Sequence, residues 1–301
     1  MALVGPTASG KTALAVAVAR RLGNVELVSA DSMAVYRGMD VGTAKPTAAE
    51  LEGVVVHMVD VADPAEDYSV ARFQNEVRAV VYDIESRGHR ALLVGGTGLY
   101  VQAVVDGLDV PGSWPELRAE LEAVAAEPAG VATLHRRLAA ADPVAAARIH
   151  PANARRTVRA LEVTLGSGRP FSSFGPGVGA YPPSRFRLAG VWLPRVAVAG
   201  RIAARYRAQV EAGFVDEVRA LASRPRGLSR TARQALGYRE LLAHLAGECS
   251  LAEAIEEAGR RTRELSRRQR MWFRRDPRVA WFGAPANPVA LQAALLEHWS
   301  A

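Results

Sequence analysis

The chain holds one cysteine, Cys249, so it can form no internal disulfide and no cysteine-rich zinc site. No apolar run approaches the roughly 20 residues that a membrane-spanning helix needs, and no membrane segment is expected. The opening MALVGPTASGK breaks at once into a glycine-rich loop and lacks the shape of a signal peptide. With a lone cysteine and no such leader, the cytoplasm is the expected compartment. The histidines, His57, His135 and His150 among them, show no metal-ligand spacing and read as structural. There is no internal repeat, and the alanine-rich stretches read as helix rather than disorder. Scarcest of all is lysine. Of 38 basic side chains only Lys11 and Lys45 are lysines. Arginine serves wherever a plain positive charge suffices, so two compact ammonium groups direct attention to their surroundings.

What is present is an ordinary globular composition. The 301 residues, 49% of them hydrophobic, carry a formal charge of +7, with a mean hydropathy of +0.00 and a sequence pI of about 10.0. The length suits one large core with an accessory region, or two domains. The basic balance favours an anionic partner without choosing among RNA, DNA, acidic lipid and phosphorylated small molecules.

Along the chain, Met1 to Val4 reads as a short strand, since the chain starts only two residues before Leu3. Ala13 to Leu22 reads as a helix, Val25 to Ser29 as a strand ending at Asp31, and Val54 to Val61 as a third strand. Val70 to Arg87 has helical spacing, and Ala91 to Val94 is a strand running into GGTGLY. Strands alternating with helices imply a parallel sheet covered on both faces, with ligands gathering at the carboxyl ends of the strands. Leu117 to Val124, Thr133 to Ala141 and Ala154 to Leu165 then read as helices with no strand between them. Ser167 to Pro183, rich in Gly, Pro and Ser, reads as a linker. A strand at Leu188 to Leu193, helices at Ala197 to Ala222, Thr231 to Leu245 and Leu251 to Phe273, and a last strand at Val279 to Phe282 complete the pattern. The expectation is an α/β core made of 1–111 and 185–301, interrupted by an all-helical insertion at 112–184.

GPTASGKT, Gly5 to Thr12, matches the phosphate-binding loop pattern of Gly, four residues, then Gly-Lys-Ser/Thr. The backbone N–H groups of Gly5, Pro6, Thr7, Ala8, Ser9 and Gly10, save that of the proline, can curl around phosphate oxygens, and the following helix adds its positive N-terminal end. Lys11 is placed to reach the terminal phosphate and the Thr12 hydroxyl to coordinate Mg²⁺. Proteins that use such a loop to cleave a nucleoside triphosphate usually carry an apolar strand ending in an acid that holds Mg²⁺. Here the strand ALLV ends in Gly95-Gly96-Thr97 instead. The nearest strand-end acid is Asp31, which reads as that Mg²⁺ acid, as a base facing a substrate, or as a turn-capping aspartate.

GPTASGKT, ADSMAVYRGMDVGTAKP, VGGTGLY, NARRTVRALEV, QALGYRE and RTRELSRRQRMWFRRD, in this order, resemble the tRNA dimethylallyltransferase family over Leu3 to about Trp281. The resemblance implies a P-loop NTPase-like parallel sheet core with a helical insertion domain that contacts tRNA. It implies transfer of a five-carbon prenyl group from dimethylallyl diphosphate to N6 of the adenosine 3′ of the anticodon, tRNA position 37, in tRNAs reading codons that begin with U. It places Asp31 as the base and Thr97 as its hydrogen-bonding helper. Ser32 then touches the substrate nucleoside, Met33 and Ala34 count among the tRNA-binding residues, and Arg37 and Lys45 flank the same crevice, Lys45 being expected to contact diphosphate or an RNA phosphate near the flipped base. Such chemistry is physically coherent. The leaving group is diphosphate, whose growing charge Mg²⁺ and Lys11 offset. The adenine amine is a poor nucleophile, and removing its proton as it attacks helps it. An arginine of RIAARYR, Arg201 or Arg205, is implied to reach the diphosphate. Where the family often has glutamine this chain has Ala34, so a polar contact near the nucleotide is missing or supplied elsewhere.

Arg260, Arg263, Arg267, Arg270 and Arg274 recur every three or four residues and form one helical stripe, opposite a mostly apolar stripe of Ile255, Ala258, Thr262, Leu265, Gln269 and Trp272. Such an arginine face fits the RNA backbone. The resemblance makes Arg155, Arg156, Thr157 and Arg159 of the insertion tRNA contacts too, with Arg118 at its start. Tyr36, Phe171 and Phe174 are readable as stacking partners for a splayed base or as core. The partners expected are a tRNA anticodon stem-loop and dimethylallyl diphosphate, with the chain a monomer. Three rival readings are an adenylate isopentenyltransferase acting on free AMP, ADP or ATP, a small-molecule kinase or NTPase built on the same loop, and a nucleotide-gated RNA-binding protein with no transferase activity.

Overall fold

The structure, a computed structural model, describes residues 1–283 and 287–300. The chain divides into two compact units, Met1–Val105 with Pro183–Ala301, and Asp106–Pro182. The breaks thus fall somewhat before 111/112 and 184/185.

The first unit is built on a six-stranded sheet in the order β3-β2-β4-β1-β5-β6. The strands are β1 (Ala2–Val4), β2 (Val25–Ala30), β3 (Val56–His57), β4 (Arg90–Gly95), β5 (Leu188–Trp192) and β6 (Ala280–Gly283), and every pairing is parallel. β1 is buried throughout and β2 and β4 almost so, as strands covered on both faces must be. Two apolar layers result. One packs α1 (Lys11–Leu22) and the C-terminal Leu295 and Trp299 on the sheet. The other packs the remaining helices around Tyr36, Phe73, Phe214 and Tyr238.

α2 (Ala48–Leu51), α3 (Val70–Ser86) and α4 (Gly98–Val105) complete the first half of this unit. Sequence spacing left α4 unread, because GLYVQAVV is apolar all round and has no amphipathic period. The expected strand over Val54 to Val61 shrinks to two paired residues. Met58 and Asp60 adopt positive φ there, which breaks the extended backbone.

The second unit is all helical: α5 (Pro115–Ala126), α6 (Gly130–Ala141), α7 (Pro143–Arg148) and α8 (Ala154–Ser167) close over Leu121, Leu134, Leu138 and Leu161. α7 went unread because it is only six residues long. In the first unit again, the single helix expected at Ala197 to Ala222 is two, α9 (Arg195–Glu211) and α10 (Phe214–Ala222), parted by Gly213 at φ 90°. Gly237, at φ 87°, likewise confines the helix expected from Thr231 to α11 (Tyr238–Leu245), after a short 3-10 turn at Ala232–Gln234. α12 (Leu251–Phe273) has the bounds its spacing predicts, started by a Ser250–Glu253 capping box. α13 (Gln292–Ser300) ends the chain. Among the described residues no helix is long and apolar enough to cross a membrane.

The histidines near the sheet are structural partners. Glu26, buried on β2, accepts from Arg87 and lies 2.7 Å from His57 Nε2 and 2.6 Å from His89 Nδ1. The Arg87 guanidinium holds its pKa down at about 2. Tyr36 is fully buried, with its hydroxyl taking a hydrogen bond from the Tyr68 N–H, so it is core and not a stacking platform.

In the helical unit, Glu162 is fully buried on α8. It accepts hydrogen bonds from Arg118 Nε (2.8 Å) and the Trp114 N–H (2.9 Å), and pairs with Arg159 (2.9 Å). Burial opposes its charge, but these donors outweigh burial and hold its pKa below the ordinary glutamate value. Removing one partner of such a cluster strands the others. Glu162→Ala is therefore expected to cost this unit about 3 kcal/mol, read as a lower urea midpoint, with Glu162→Gln losing less.

Candidate functional site

Strand register sets the site. Val4 pairs with Gly95, and Gly95 with Ala30, so β1, β4 and β2 end level and release their loops side by side. A Cβ on Gly95 would lie 2.3 Å from the Ala30 carbonyl oxygen, which is why this strand end is glycine. The three loops carry the phosphate-binding pattern, Asp31 and Thr97.

The loop Gly5–Gly10 winds tightly, with Ala8 at φ 61° and Gly10 at φ 80°. Gly10 opens α1, and among the described residues no side chain caps that N-terminus, which leaves its N–H groups for an anion. Neighbours brace the loop. The Thr7 N–H donates to Gln269 Oε1 (2.8 Å), Arg205 donates to Thr7 Oγ1 (3.0 Å) and Arg201 donates to the Ala8 carbonyl (3.4 Å). Ser9 is fully buried and its hydroxyl has no partner among the described residues. Lys11 donates to the Pro6 carbonyl (3.3 Å), while Thr12 stays exposed.

Beside this loop lies a cavity of about 410 Å³, lined by Thr7, Asp31, Ser32, Met33, Thr97 and Arg205, among others. The structure thus separates the two arginines: Arg205 faces the cavity, while Arg201 lies against the loop backbone at Ala8. Asp31 Oδ1 accepts from the N–H groups of Met33 (2.8 Å) and Ala34 (3.4 Å), and Oδ2 has no hydrogen-bond partner among the described residues. Thr97 does not bond Asp31. Its Oγ1 accepts from the Ser32 N–H (3.2 Å) and donates to Ser32 Oγ (3.4 Å), so it steadies the acid through its neighbour.

Other expected contacts are corrected. Ala34 is buried and offers no surface to RNA. Lys45 does not face the cavity. Its ammonium group is enclosed by the Tyr36 carbonyl (2.6 Å), Asp40 (2.6 Å) and Asp60 (2.5 Å), with the side chain 7% exposed. Arg37 is exposed and donates to the Asp60 carbonyl. Thr157 is fully buried, and Arg118 and Arg159 are committed to Glu162, so of that group only Arg155 and Arg156 stand exposed. On α12, Arg263, Arg267 and Arg274 are exposed, Arg270 lies over the Trp192 ring at 5.7 Å, and Arg260 is paired with Glu257 and Glu264.

Several cavity residues escaped the sequence reading. Gln269 and Trp272 lie on the inward stripe of α12 that the spacing predicts, each packed against a glycine that the spacing does not reveal. A Cβ on Gly96 would lie 2.6 Å from Gln269 Nε2, and one on Gly98 2.4 Å from the Trp272 ring. Tyr206 and Gln209 on α9, Leu236, Tyr238 and Arg268 also line the cavity. QALGYRE signalled a motif there without signalling a role.

For Mg²⁺, no cluster of three or more His, Cys, Asp or Glu side chains suited to a metal exists among the described residues. The donor at hand, the Thr12 hydroxyl in the first turn of α1, suits an ion that keeps waters and takes most of its ligands from substrate phosphates. Burial pushes the Lys11 ammonium down to about 8, Asp31 opposing and Arg205 adding to the shift. Lys11 is therefore charged below that pH and neutral above it. Affinity for inorganic diphosphate is expected to fall about tenfold per unit above pH 8. A calorimetric titration from pH 6.5 to 9.5 checks it: the break belongs to Lys11 only if it vanishes in Lys11→Met.

Comparison with known proteins places this geometry. The sequence profile of the IPP transferase family matches residues 34–276, and that of the Isopentenyl transferase family residues 1–62. A curated tRNA dimethylallyltransferase of Salinispora arenicola is 49% identical over 97% of this chain and 84% of its own length. One of Thermobifida fusca is 48% identical over 99% and 94%. Among solved structures, the tRNA isopentenylpyrophosphate transferase of Bacillus halodurans superposes with a TM-score of 0.70 at 38% identity, covering 99% of this chain and 96% of that one. A eukaryotic dimethylallyltransferase described as acting on tRNA shares the fold, with a TM-score of 0.78 at 23% identity over 99% and 76%. The chain belongs to the IPP transferase family.

Proposed function

We propose that this chain is a prenyltransferase that moves the dimethylallyl group of dimethylallyl diphosphate to N6 of adenosine 37, beside the tRNA anticodon, in tRNAs reading codons that begin with U. The observation that carries the proposal is the convergence of Thr7, Arg205 and Asp31 on one cavity. A diphosphate-binding loop after β1 and a carboxylate after β2 flank the end of β4 and border one cavity, where a C–O bond can break while an N–C bond forms. The loop amides, Lys11 and Arg205 receive the diphosphate as its charge grows. Asp31 Oδ2 takes the proton that the amine loses as it bonds C1, and the Met33 and Ala34 amides hold the carboxylate still. The Thr12 hydroxyl would hold Mg²⁺ together with the diphosphate, and the ion would add to the neutralisation of the leaving group.

The exposed arginines of α12 and α8 support a macromolecular acceptor over free AMP, because several phosphates can then be met at once. The cytoplasm, where unmodified tRNA occurs, and a monomeric state belong to this reading.

The test pairs substrate choice with one substitution. With Mg²⁺ and labelled dimethylallyl diphosphate, label is expected in unmodified tRNA and not in AMP. ATP hydrolysis or phosphoryl transfer without prenylation would overturn the reading. Asp31→Ala is expected to keep tRNA affinity while turnover drops about 10²- to 10⁴-fold; unchanged turnover removes Asp31 as the base.

A further inference from the structure

One cavity wall is made of backbone with no regular structure. Gly42 and Thr43 line the same space as Asp31, in a turn that belongs to neither strand nor helix. What fixes it is a carboxylate. Glu217, in the first turn of α10, accepts hydrogen bonds from three successive amides: Asp40 (2.8 Å), Val41 (2.7 Å) and Gly42 (3.1 Å). It also accepts from the Tyr238 hydroxyl (2.6 Å). From α9, Gln209 Nε2 donates to the carbonyls of Val41 (2.6 Å) and Gly42 (3.1 Å).

Packing leaves the wall no slack. A Cβ on Gly42 would lie 2.1 Å from the Phe214 ring and 2.5 Å from that of Tyr238, and those rings meet edge to face at 5.0 Å. Gln209 stands one helical turn beyond Arg205, so a single face of α9 fixes both the wall and the guanidinium beside the phosphate loop.

We propose that Glu217 is a positioning residue for prenyl transfer: gathering the three amides sets the Gly42–Thr43 wall where the five-carbon chain lies with C1 between diphosphate and acceptor amine. This rests on the prenyltransferase reading above. Glu217 touches no reacting atom; it acts through the backbone it holds. Only a carboxylate offers acceptors on both oxygens. Glutamine has the same shape but accepts on one atom, which leaves an amide or the Tyr238 hydroxyl unmatched.

The experiment is steady-state prenylation of tRNA by the full chain, in wild type, Glu217→Gln and Tyr238→Phe, with inhibition by inorganic diphosphate measured alongside. In Glu217→Gln the KM for dimethylallyl diphosphate is expected to rise about tenfold and kcat to fall by a similar factor. The inhibition constant of diphosphate stays unchanged, because Thr7, Lys11 and Arg205 are untouched. Tyr238→Phe, which removes one hydroxyl and keeps the ring against Gly42, should shift KM the same way by about threefold. Wild-type kcat and KM in folded Glu217→Gln overturn the proposal. So does a diphosphate inhibition constant that worsens in step with KM, which means general damage to the site. If Glu217→Gln does not fold, an unchanged KM in Tyr238→Phe overturns the proposal alone. A wild type that labels no tRNA fails at a separate arm, and removes the prenyltransferase reading and this inference together.

Discussion

The site depends on the register of three parallel strands. Because Val4, Gly95 and Ala30 end at one level, a phosphate-type loop, a glycine-rich turn and an aspartate leave the sheet next to one another. None of the three could be moved by one residue without sending its side chains to the other face. The glycines are consequences of that convergence. Gly95 gives way to the Ala30 backbone, Gly96 to Gln269 and Gly98 to Trp272. A side chain at Gly95 would part β4 from β2, and side chains at Gly96 and Gly98 would push α12 away from the sheet end.

α12 has two duties, divided by its faces. Its inward face reaches the phosphate-type loop itself, where Gln269 takes the Thr7 N–H. Its outward face shows Arg263, Arg267 and Arg274 to solvent. A polyanion drawn to the outer face is therefore held on the same rigid rod that closes the inner site. Enclosure also sharpens the charges inside. Lys11, Arg205 and Asp31 sit close enough for Asp31 to oppose the burial shifts of both cations. On the proposed function, a diphosphate arriving there would meet two cations already short of water, which would make its charge worth more to them.

Much of this was legible in the sequence. Alternating apolar runs and helical spacings gave the parallel sheet, and the spacing over Leu251 to Phe273 gave α12 its bounds. GPTASGKT and Asp31 lie at strand ends, where ligands gather. What escaped has physical causes. A single glycine in the left-handed region splits a helix without disturbing its apolar period, as at Gly213 and Gly237. α4 has no polar face to reveal it. Solvent exposure cannot be read from residue type. Arg118 and Arg159 look like RNA contacts until a buried Glu162 claims them. Gln209, Tyr238 and Glu217 are brought to the cavity region only by long-range folding, and no spacing in the sequence links the three to one another.

The two lysines show how far composition can lead. Both proved to be special positions, for different reasons. Lys11 stands at a strand-to-helix turn where a slim chain must carry charge into a confined place, and burial has lowered its pKa to about 8. Lys45 carries its charge to the protein's own groups. Three oxygens converge on its nitrogen at 2.5–2.6 Å, from the Tyr36 carbonyl, Asp40 and Asp60. An ammonium has three donors radiating from one atom and matches three acceptors around a point. A guanidinium spreads its donors over a planar fork and cannot converge in that way. In a chain that otherwise uses arginine, lysine survives where the geometry asks for a point charge. The second such point lies in the same segment that Glu217 holds: the carboxylate takes the amides of Asp40, Val41 and Gly42, and the ammonium ties the Asp40 side chain to the Tyr36 carbonyl and to Asp60. A turn without strand or helix is thus held through its amides by one charge and through the Asp40 side chain by the opposite one.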